Sequence, residues 1–221
     1  MLKIRCSSIG KIMTNSRSKT ETLSKTCRTY LQELAVEEMY GKRKEFSSKY
    51  TDKGNQVEDD GIKLCESVLD LGFMYKNEEH FTNDFLTGTP DVNTDIILDV
   101  KSSWDATTFP FFAEDIPNKD YFYQLQGYMA LTGKRKSYLC YCLINTPELM
   151  VEDEVRRAHW KENLIDESEE LRLHVEAQHN FDNIPAERRI KTFEVRYDKD
   201  VVKAIYDRVK ECREYYNTLI L

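Results

Sequence analysis

Asp99-Val100-Lys101 places a carboxylate and an ammonium two residues apart in a run, 96–101, that is otherwise apolar. In an extended strand the side chains alternate, so Ile97, Asp99 and Lys101 share one face and Ile96, Leu98 and Val100 the other. Taken alone, the charged pair reads as a salt bridge at a strand end. A second carboxylate, Asp91, directly follows a proline in Gly88-Thr89-Pro90-Asp91, and alone it reads as a turn residue. Asn93-Thr94-Asp95, between the two acids, is turn chemistry. A hairpin there brings Asp91 and Asp99 together. Neighbouring carboxylates repel unless a proton or a cation lies between them, and hard cations such as Mg²⁺ take oxygen ligands of this kind.

Glu58 supplies a third acid. On a helical wheel, Val57, Gly61, Leu64, Cys65, Val68 and Leu69 form one apolar stripe, and Glu58 falls inside it, whereas Asp59, Asp60 and Glu66 do not. A carboxylate facing the core needs a partner. An Arg or Lys would serve, and so would a metal shared with Asp91 and Asp99. The segment 119–133 is apolar nearly all round, the mark of a buried helix, yet it carries Gln124 and Gln126 on different faces. Each reads either as an internally bonded amide or as a contact to a phosphate, a water or Lys101. At the N-terminus, Arg5-Cys6-Ser7-Ser8-Ile9-Gly10-Lys11 gathers groups suited to a phosphate at a helix start. Ser7 or Ser8 serves equally well as an N-cap.

These residues need a scaffold, and the periodicities outline one. Residues 20–40 read as a helix capped by Thr20, and 47–70 as a second helix ending before Gly72. A β section follows over 73–103. Its clearest strands are 85–87 and 96–100, read as a hairpin about Asn93-Thr94-Asp95. Residues 119–133 read as a helix and 137–144 as a buried strand. The stretch 147–179 is helical with a break near 164–168. An edge strand spans 189–197, and 198–219 close the chain as a helix with Val201, Val202, Ile205, Val209, Cys212 and Tyr216 inward. This order predicts an α/β fold with a central mixed β-sheet flanked by helices. A single domain is expected, with a core over about 1–145 and a C-terminal extension over about 146–221.

The 221 residues are 40% apolar and 11% aromatic, with 8 Gly and 5 Pro, which argues against disordered and linker-rich classes. The net charge of −7 disfavours coating of nucleic acid by bulk charge but permits a local basic track around an acidic site. Lys42-Arg43-Lys44, Lys134-Arg135-Lys136 and Arg188-Arg189 are the candidates for that track, each with solvated surface as its alternative. No apolar run is long enough to span a membrane and no secretory stretch opens the chain, so a cytoplasmic protein is expected. The six cysteines (6, 27, 65, 140, 142 and 212) form no CxxC pair and read as reduced thiols.

Pro90-Asp91, then Asp99-Val100-Lys101, with Glu58 on the preceding helix, resembles the PD-(D/E)XK nucleases. Within that superfamily, Tyr121-Phe122-Tyr123-Gln124-Leu125-Gln126 and Arg5-x-Ser7-Ser8 are similar to motifs of the phage lambda exonuclease and YqaJ-type viral recombinase family. The resemblance covers about residues 5–132. Asp99 stands where many relatives carry Glu. The resemblance implies a restriction-endonuclease-like core and Mg²⁺-dependent hydrolysis of double-stranded DNA, with Mn²⁺ substituting. It implies 5′-to-3′ exonuclease action that exposes single strands for recombination or phage DNA processing. Asp91, Asp99 and the Val100 carbonyl would hold the metal, completed by Glu58. Lys101 would orient or deprotonate the attacking water, Gln124 would position Lys101 or the phosphate, and Arg5, Ser7, Ser8 and Tyr121 would contact DNA phosphates. A single-strand annealing partner and a homo-oligomeric ring are further implications. The alternatives are an endonuclease or RecB-like CRISPR-associated nuclease of the same fold, and a catalytically inactive DNA-binding or assembly subunit.

Overall fold

Local chemistry starts and stops the helices of the computed structural model, which describes residues 1–43 and 47–220. The helices are α1 (Ile9–Ile12), α2 (Lys25–Tyr40), α3 (Lys49–Val68), α4 (Lys119–Thr132), α5 (Glu148–Lys161), α6 (Glu169–His179) and α7 (Lys199–Ile220). Ser48 and Thr51 form a reciprocal capping box that opens α3. The Asn118 side chain accepts from the Asp120 N–H at the start of α4, which ends at Gly133 in the left-handed conformation that glycine tolerates best. α2 begins later than its apolar spacing predicts. Thr20 is paired with Ser18 through their hydroxyls at 2.8 Å, and Ser24 caps the helix by accepting from the Cys27 N–H.

The strands among the described residues are β1 (Ile4–Arg5), β2 (Phe81–Thr82), β3 (Leu86–Gly88), β4 (Val92–Asn93), β5 (Ile97–Ser102), β6 (Lys136–Cys142) and β7 (Ile190–Arg196). They form a three-stranded sheet, β1-β3-β2, and a four-stranded mixed sheet, β4-β5-β6-β7. The hairpin expected before β5 exists, but its first strand is β4, with Val92 opposite Leu98. Leu86–Gly88 instead pairs parallel with β1 and antiparallel with β2, because Thr89-Pro90 interrupts the chain before the turn. β1 is too short to leave a periodic signal. The remaining elements follow the predicted order, and the α/β class with helices flanking a mixed sheet holds.

β5 and β6 run parallel, with Asp99 opposite Leu139 and Lys101 opposite Tyr141, joined by a crossover that contains α4. β7 closes the far edge antiparallel to β6. The two faces of β5 meet different layers, as its alternation requires. Ile97 joins Leu125, Met129 and Leu139 in the core shared by α1, α2, α4 and α7. Leu98 and Val100 join Val57, Ile62 and Cys65 of α3 in a second core. Asp99 and Lys101 therefore face α4, and Glu58 approaches from the α3 side.

The approach of α3 to β5 depends on Gly61. A Cβ added there would lie 2.7 Å from Val100 Cγ1. Valine is stiff at χ1, so the strand or the helix must move. Gly61→Ala is expected to cost about 1–3 kcal/mol in urea denaturation, an overpacking effect that outweighs the helix-propensity gain of about 1 kcal/mol. A variant as stable as the parent would show that the contact is soft.

Candidate active site

The carboxyl ends of parallel strands are where α/β folds place their reactive groups, and β5 ends in the charged pair. Asp99 is fully buried. The Gln124 amide, one turn into α4, donates to Asp99 Oδ1 at 2.9 Å and also to the Tyr128 hydroxyl at 3.0 Å. Lys101 Nζ lies 2.5 Å from Asp99 Oδ2 and 3.4 Å from the Val100 carbonyl oxygen, and 5.0 Å from the centre of the Tyr121 ring. Asp99 Oδ2 has this ionic contact but no well-directed hydrogen bond.

Asp91 sits beside this pair. Its Oδ2 accepts from the Val100 backbone N–H at 2.8 Å, which fixes the second carboxylate against the strand that carries the first. Asn77 holds the peptide before it: its N–H donates to the Asp91 carbonyl at 2.8 Å and its amide to the Pro90 carbonyl at 3.0 Å. Burial, and next the charge of Asp99, push the Asp91 carboxyl up to about 7, with a smaller contribution from Glu58. Lys101 moves the opposite way to what burial alone would do. The Asp99 and Asp91 charges outweigh desolvation and hold its ammonium well above the ordinary lysine range.

Glu58 is turned to a partner of its own. Lys76 Nζ lies 3.1 Å from Glu58 Oε1 and 3.3 Å from Asp59 Oδ1. Among the described residues, no group of three or more His, Cys, Asp or Glu side chains is close enough to hold a metal. The geometry explains why. Glu58 and Asp99 come from opposite faces of β5, and an ammonium already neutralises each of them. Asp91, which feels both charges, is the link between them.

The donor set nevertheless suits a hard divalent cation. Two carboxylates and a backbone carbonyl supply only oxygen, which Mg²⁺ and Mn²⁺ prefer over nitrogen or sulfur. Lys101 already bridges Asp99 and the Val100 carbonyl as a stand-in cation. The raised pKa of Asp91 comes first from burial and next from the like charge of Asp99, and a cation beside it would offset both.

The N-terminal segment packs at the back of this site. The turn Cys6–Ser8 lies against α4 and β3: a Cβ on Gly127 would meet Cys6 Sγ at 2.9 Å, and one on Gly88 would meet it at 3.2 Å. Burial, and then the Asp99 charge, push the Cys6 thiol far above its usual range. Ser8 occupies the cap position of α1 without a side-chain capping bond, and Ser7 is exposed. Arg5 is spent on Glu37 at 3.1 Å. Lys11 lies over the Tyr30 ring at 5.0 Å.

The two glutamines of α4 divide their work. Gln124 enters the site. Gln126 is structural: its amide donates to the Arg196 carbonyl at 2.8 Å and its oxygen accepts from the Asp198 N–H at 2.9 Å, joining the end of β7 to the start of α7. Of the basic groups, residues 134–136 lie at the opposite end of β6 from Lys101. Lys134 bonds the Thr94 carbonyl, Arg135 stacks on Tyr197 at 4.4 Å and Lys136 pairs with Glu194 at 3.1 Å. Arg188-Arg189 lie at the site end, where the Leu143 N–H donates to the Arg189 carbonyl. Lys44 lies outside the described residues. Lys76 and Tyr128 were not among the predicted residues. Tyr128 was findable as the helical neighbour of Gln124 at i+4, whereas nothing local to Lys76 points at Glu58. All six cysteines carry free thiols. Cys27 faces Cys212 at 3.6 Å and Cys65 faces Cys142 at 3.5 Å.

A solved phage-related exonuclease from Haemophilus somnus 129PT has 31% sequence identity to this chain and a TM-score of 0.79, covering 99% of this chain and 95% of its own. The chain belongs to the phage-related exonuclease family. That places it in the lambda exonuclease and YqaJ-type group of PD-(D/E)XK nucleases, as its motifs imply. An alkaline exonuclease from Laribacter hongkongensis, LHK-Exo, and its complex with dAMP share the fold with this family member, each with a TM-score of 0.65, at 14% and 16% identity, over 99% of this chain and 89% of theirs. No protein-family model and no curated protein matches it.

Proposed function

We propose that this family member is a divalent-metal-dependent DNA exonuclease that uses Mg²⁺, with Mn²⁺ as a substitute, on double-stranded DNA. The observation that carries the reading is the pairing of buried Asp99 with Asp91 on one strand backbone, with Lys101 bonded to the first. Asp91, Asp99 and the Val100 carbonyl are the groups that would hold the ion, and Glu58 joins them once it leaves Lys76. The ion, when bound, supplies Lewis acidity toward the scissile phosphate and a nucleophilic water at neutral pH.

The chain's own residues do the rest. Gln124 fixes the Asp99 carboxylate in one rotamer through Oδ1, leaving Oδ2 to face the site. Lys101 carries its positive charge to the place where a phosphate oxygen gains negative charge, and the Tyr121 ring limits where its ammonium can swing. Exposed Ser7, with Ser8 behind it, offers hydroxyl donors to a neighbouring phosphate, and Arg5 serves there on release from Glu37. Cleavage from the 5′ end, delivery of single strands to recombination, an annealing-protein partner and a ring-shaped homo-oligomer rest on the family resemblance. The expected location is the cytoplasm. Among the described residues no helix is long and apolar enough to cross a membrane.

The test uses end-labelled linear duplex and covalently closed circular DNA with Mg²⁺ and with EDTA. Mononucleotide release from the linear form, an intact circle and no reaction in EDTA are expected. Release of a 5′ label first gives the polarity. Cutting of the circle would make the protein an endonuclease. Binding without hydrolysis in either Mg²⁺ or Mn²⁺ would make it the inactive subunit.

A further inference from the structure

The register of the four-stranded sheet places Lys101, Tyr141 and Lys191 in one row. Lys101 stands opposite Tyr141 of β6, and Tyr141 stands opposite Lys191 of β7. Directly paired residues point to the same face of a sheet. All three therefore share the α4 face with Asp99, Leu139 and Phe193, which form the next row down. The row crosses the carboxyl ends of β5 and β6, the end at which open α/β sheets take their ligands. Asp91 lies on the other side of β5, just ahead of β4. The row thus leads from the candidate metal ligands outward to the sheet edge.

Tyr141 and Lys191 are held in place, but their polar tips are not used within the fold. The Tyr141 ring stands edge to face against Tyr121 at 6.3 Å and against Phe193 at 6.1 Å. Lys191 Nζ lies 5.4 Å from the centre of the Phe193 ring, so its stem runs along the same aromatic floor. Both residues are half-buried. Among the described residues, the Tyr141 hydroxyl makes no hydrogen bond and Lys191 makes no ion pair. Lys136, at the other end of β6, is by contrast spent on Glu194. Glu114 and Asp115 line a cleft with residues 192–196, farther along β7 from the site end. Their charge borders the row and confines a chain of phosphates to it.

We propose that Lys191 and the Tyr141 hydroxyl bind backbone phosphates next to the scissile one, continuing the track from Lys101 across β6 and β7. This rests on the DNA-nuclease reading of the same site. The backbones of Lys101 and Lys191 are two strand spacings apart, about 10 Å, which suits a neighbouring phosphate rather than the scissile one. An ammonium and a phenol grip phosphates without reading bases, as an enzyme that advances along a strand requires. No charge run marks Lys191, which stands between Ile190 and Thr192. Only the pairing of β7 with β6 brings it to the site.

The test measures binding of short blunt duplexes by the full chain in Ca²⁺ across a salt series, and hydrolysis of the same duplexes in Mg²⁺. Lys191→Met is expected to weaken binding roughly five- to ten-fold at about 0.1 M salt, equally for unrelated sequences. The slope of log affinity against log salt should become shallower by about one. KM should rise with kcat near that of the parent, because such a contact is the same in the ground and transition states. Lys191→Arg is expected to restore both the slope and KM. Tyr141→Phe is expected to weaken binding about three- to ten-fold at an unchanged slope, since it removes a hydrogen bond and no charge. Its ring keeps its packing on Tyr121 and Phe193, and both variants should melt with the parent. Parental affinity in either Lys191→Met or Tyr141→Phe would overturn the proposal. So would a binding loss that Lys191→Arg shares, since Lys191 would then be a packing residue on Phe193. A wild type that binds duplexes with the expected salt dependence but cuts none would instead sink the nuclease reading, and the binding arm would still decide the track.

Discussion

Lys101→Met is expected to lower DNA hydrolysis in Mg²⁺ by about 10³-fold while leaving Mn²⁺ affinity equal to or tighter than that of the parent. The two effects part because Lys101 plays two roles. It brings a positive charge to the developing phosphate charge, and it also occupies Asp99 Oδ2 at 2.5 Å and approaches the Val100 carbonyl, both of which a divalent ion would need. Removing the ammonium removes a competitor along with a catalyst. The metal-free variant is left with a fully buried Asp99 beside Asp91 and no cation between them, so its melting temperature should fall and Mn²⁺ should restore it. Calorimetric titration, thermal melting with and without Mn²⁺, and a nuclease assay together check this. Weaker Mn²⁺ binding in the variant would show that Lys101 supports the cation site rather than filling it. Activity within ten-fold of the parent would remove Lys101 from the chemistry. With Asp99 and Asp91 holding its proton so firmly, Lys101 acts as a donor in the cation-free protein and not as a base.

The stability of the protein relative to a Lys53→Met variant is expected to climb as pH rises from about 8 to about 10.5. Burial lowers the Lys53 pKa to about 8, and the charge of Asp105 only partly opposes this. In the unfolded chain the lysine keeps its ordinary value near 10.5. Between these values the unfolded state binds a proton that the folded state does not, so folding is favoured as pH increases. The full difference is about 3 kcal/mol. Below pH 8 both states are charged and the burial cost is fully present. Lys53→Met removes that cost but orphans the Ser103 and Trp104 carbonyls, each worth about 1–3 kcal/mol when buried without a donor. At pH 7 the variant is expected to be less stable by about 1 kcal/mol, the mid-range cost of two orphaned carbonyls less the burial cost removed, and the gap should widen with alkali. Urea denaturation of both proteins at pH 7, 8, 9 and 10 measures it. Parallel pH profiles would show that the ammonium is solvated.

The sequence made the α/β class legible, and it made legible the meeting of Asp91, Asp99 and Lys101 on which the candidate site rests. Asp91, Asp99 and Lys101 were legible because a charged pair in an apolar strand and an acid after a proline are rare in combination. The alternation rule also placed Asp99 and Lys101 on one face before any fold was known. The long helices were legible from apolar spacing. The short pairings were not: β1 and β4 span two residues each and hold together only through partners far away in the chain. The strand legible at 85–87 corresponds to β3, but it pairs with β1 and β2 and not with the strand at 96–100, because hydrogen-bond pairing across a sheet is not encoded in local pattern.

By itself, the sequence determined which groups are available for chemistry and which face of each element they occupy, since strand and helix periods are properties of the backbone. Only the tertiary structure decided who meets whom. It sent Gln124 to Asp99 and Gln126 to the start of α7, although the two lie two residues apart on one helix. It gave Glu58 to Lys76 and gave Asp99 to Lys101. Such pairings depend on how two layers close over β5. Buried charges are satisfied by whichever opposite charge the packing brings within about 3 Å, a distance that no spacing along the chain specifies.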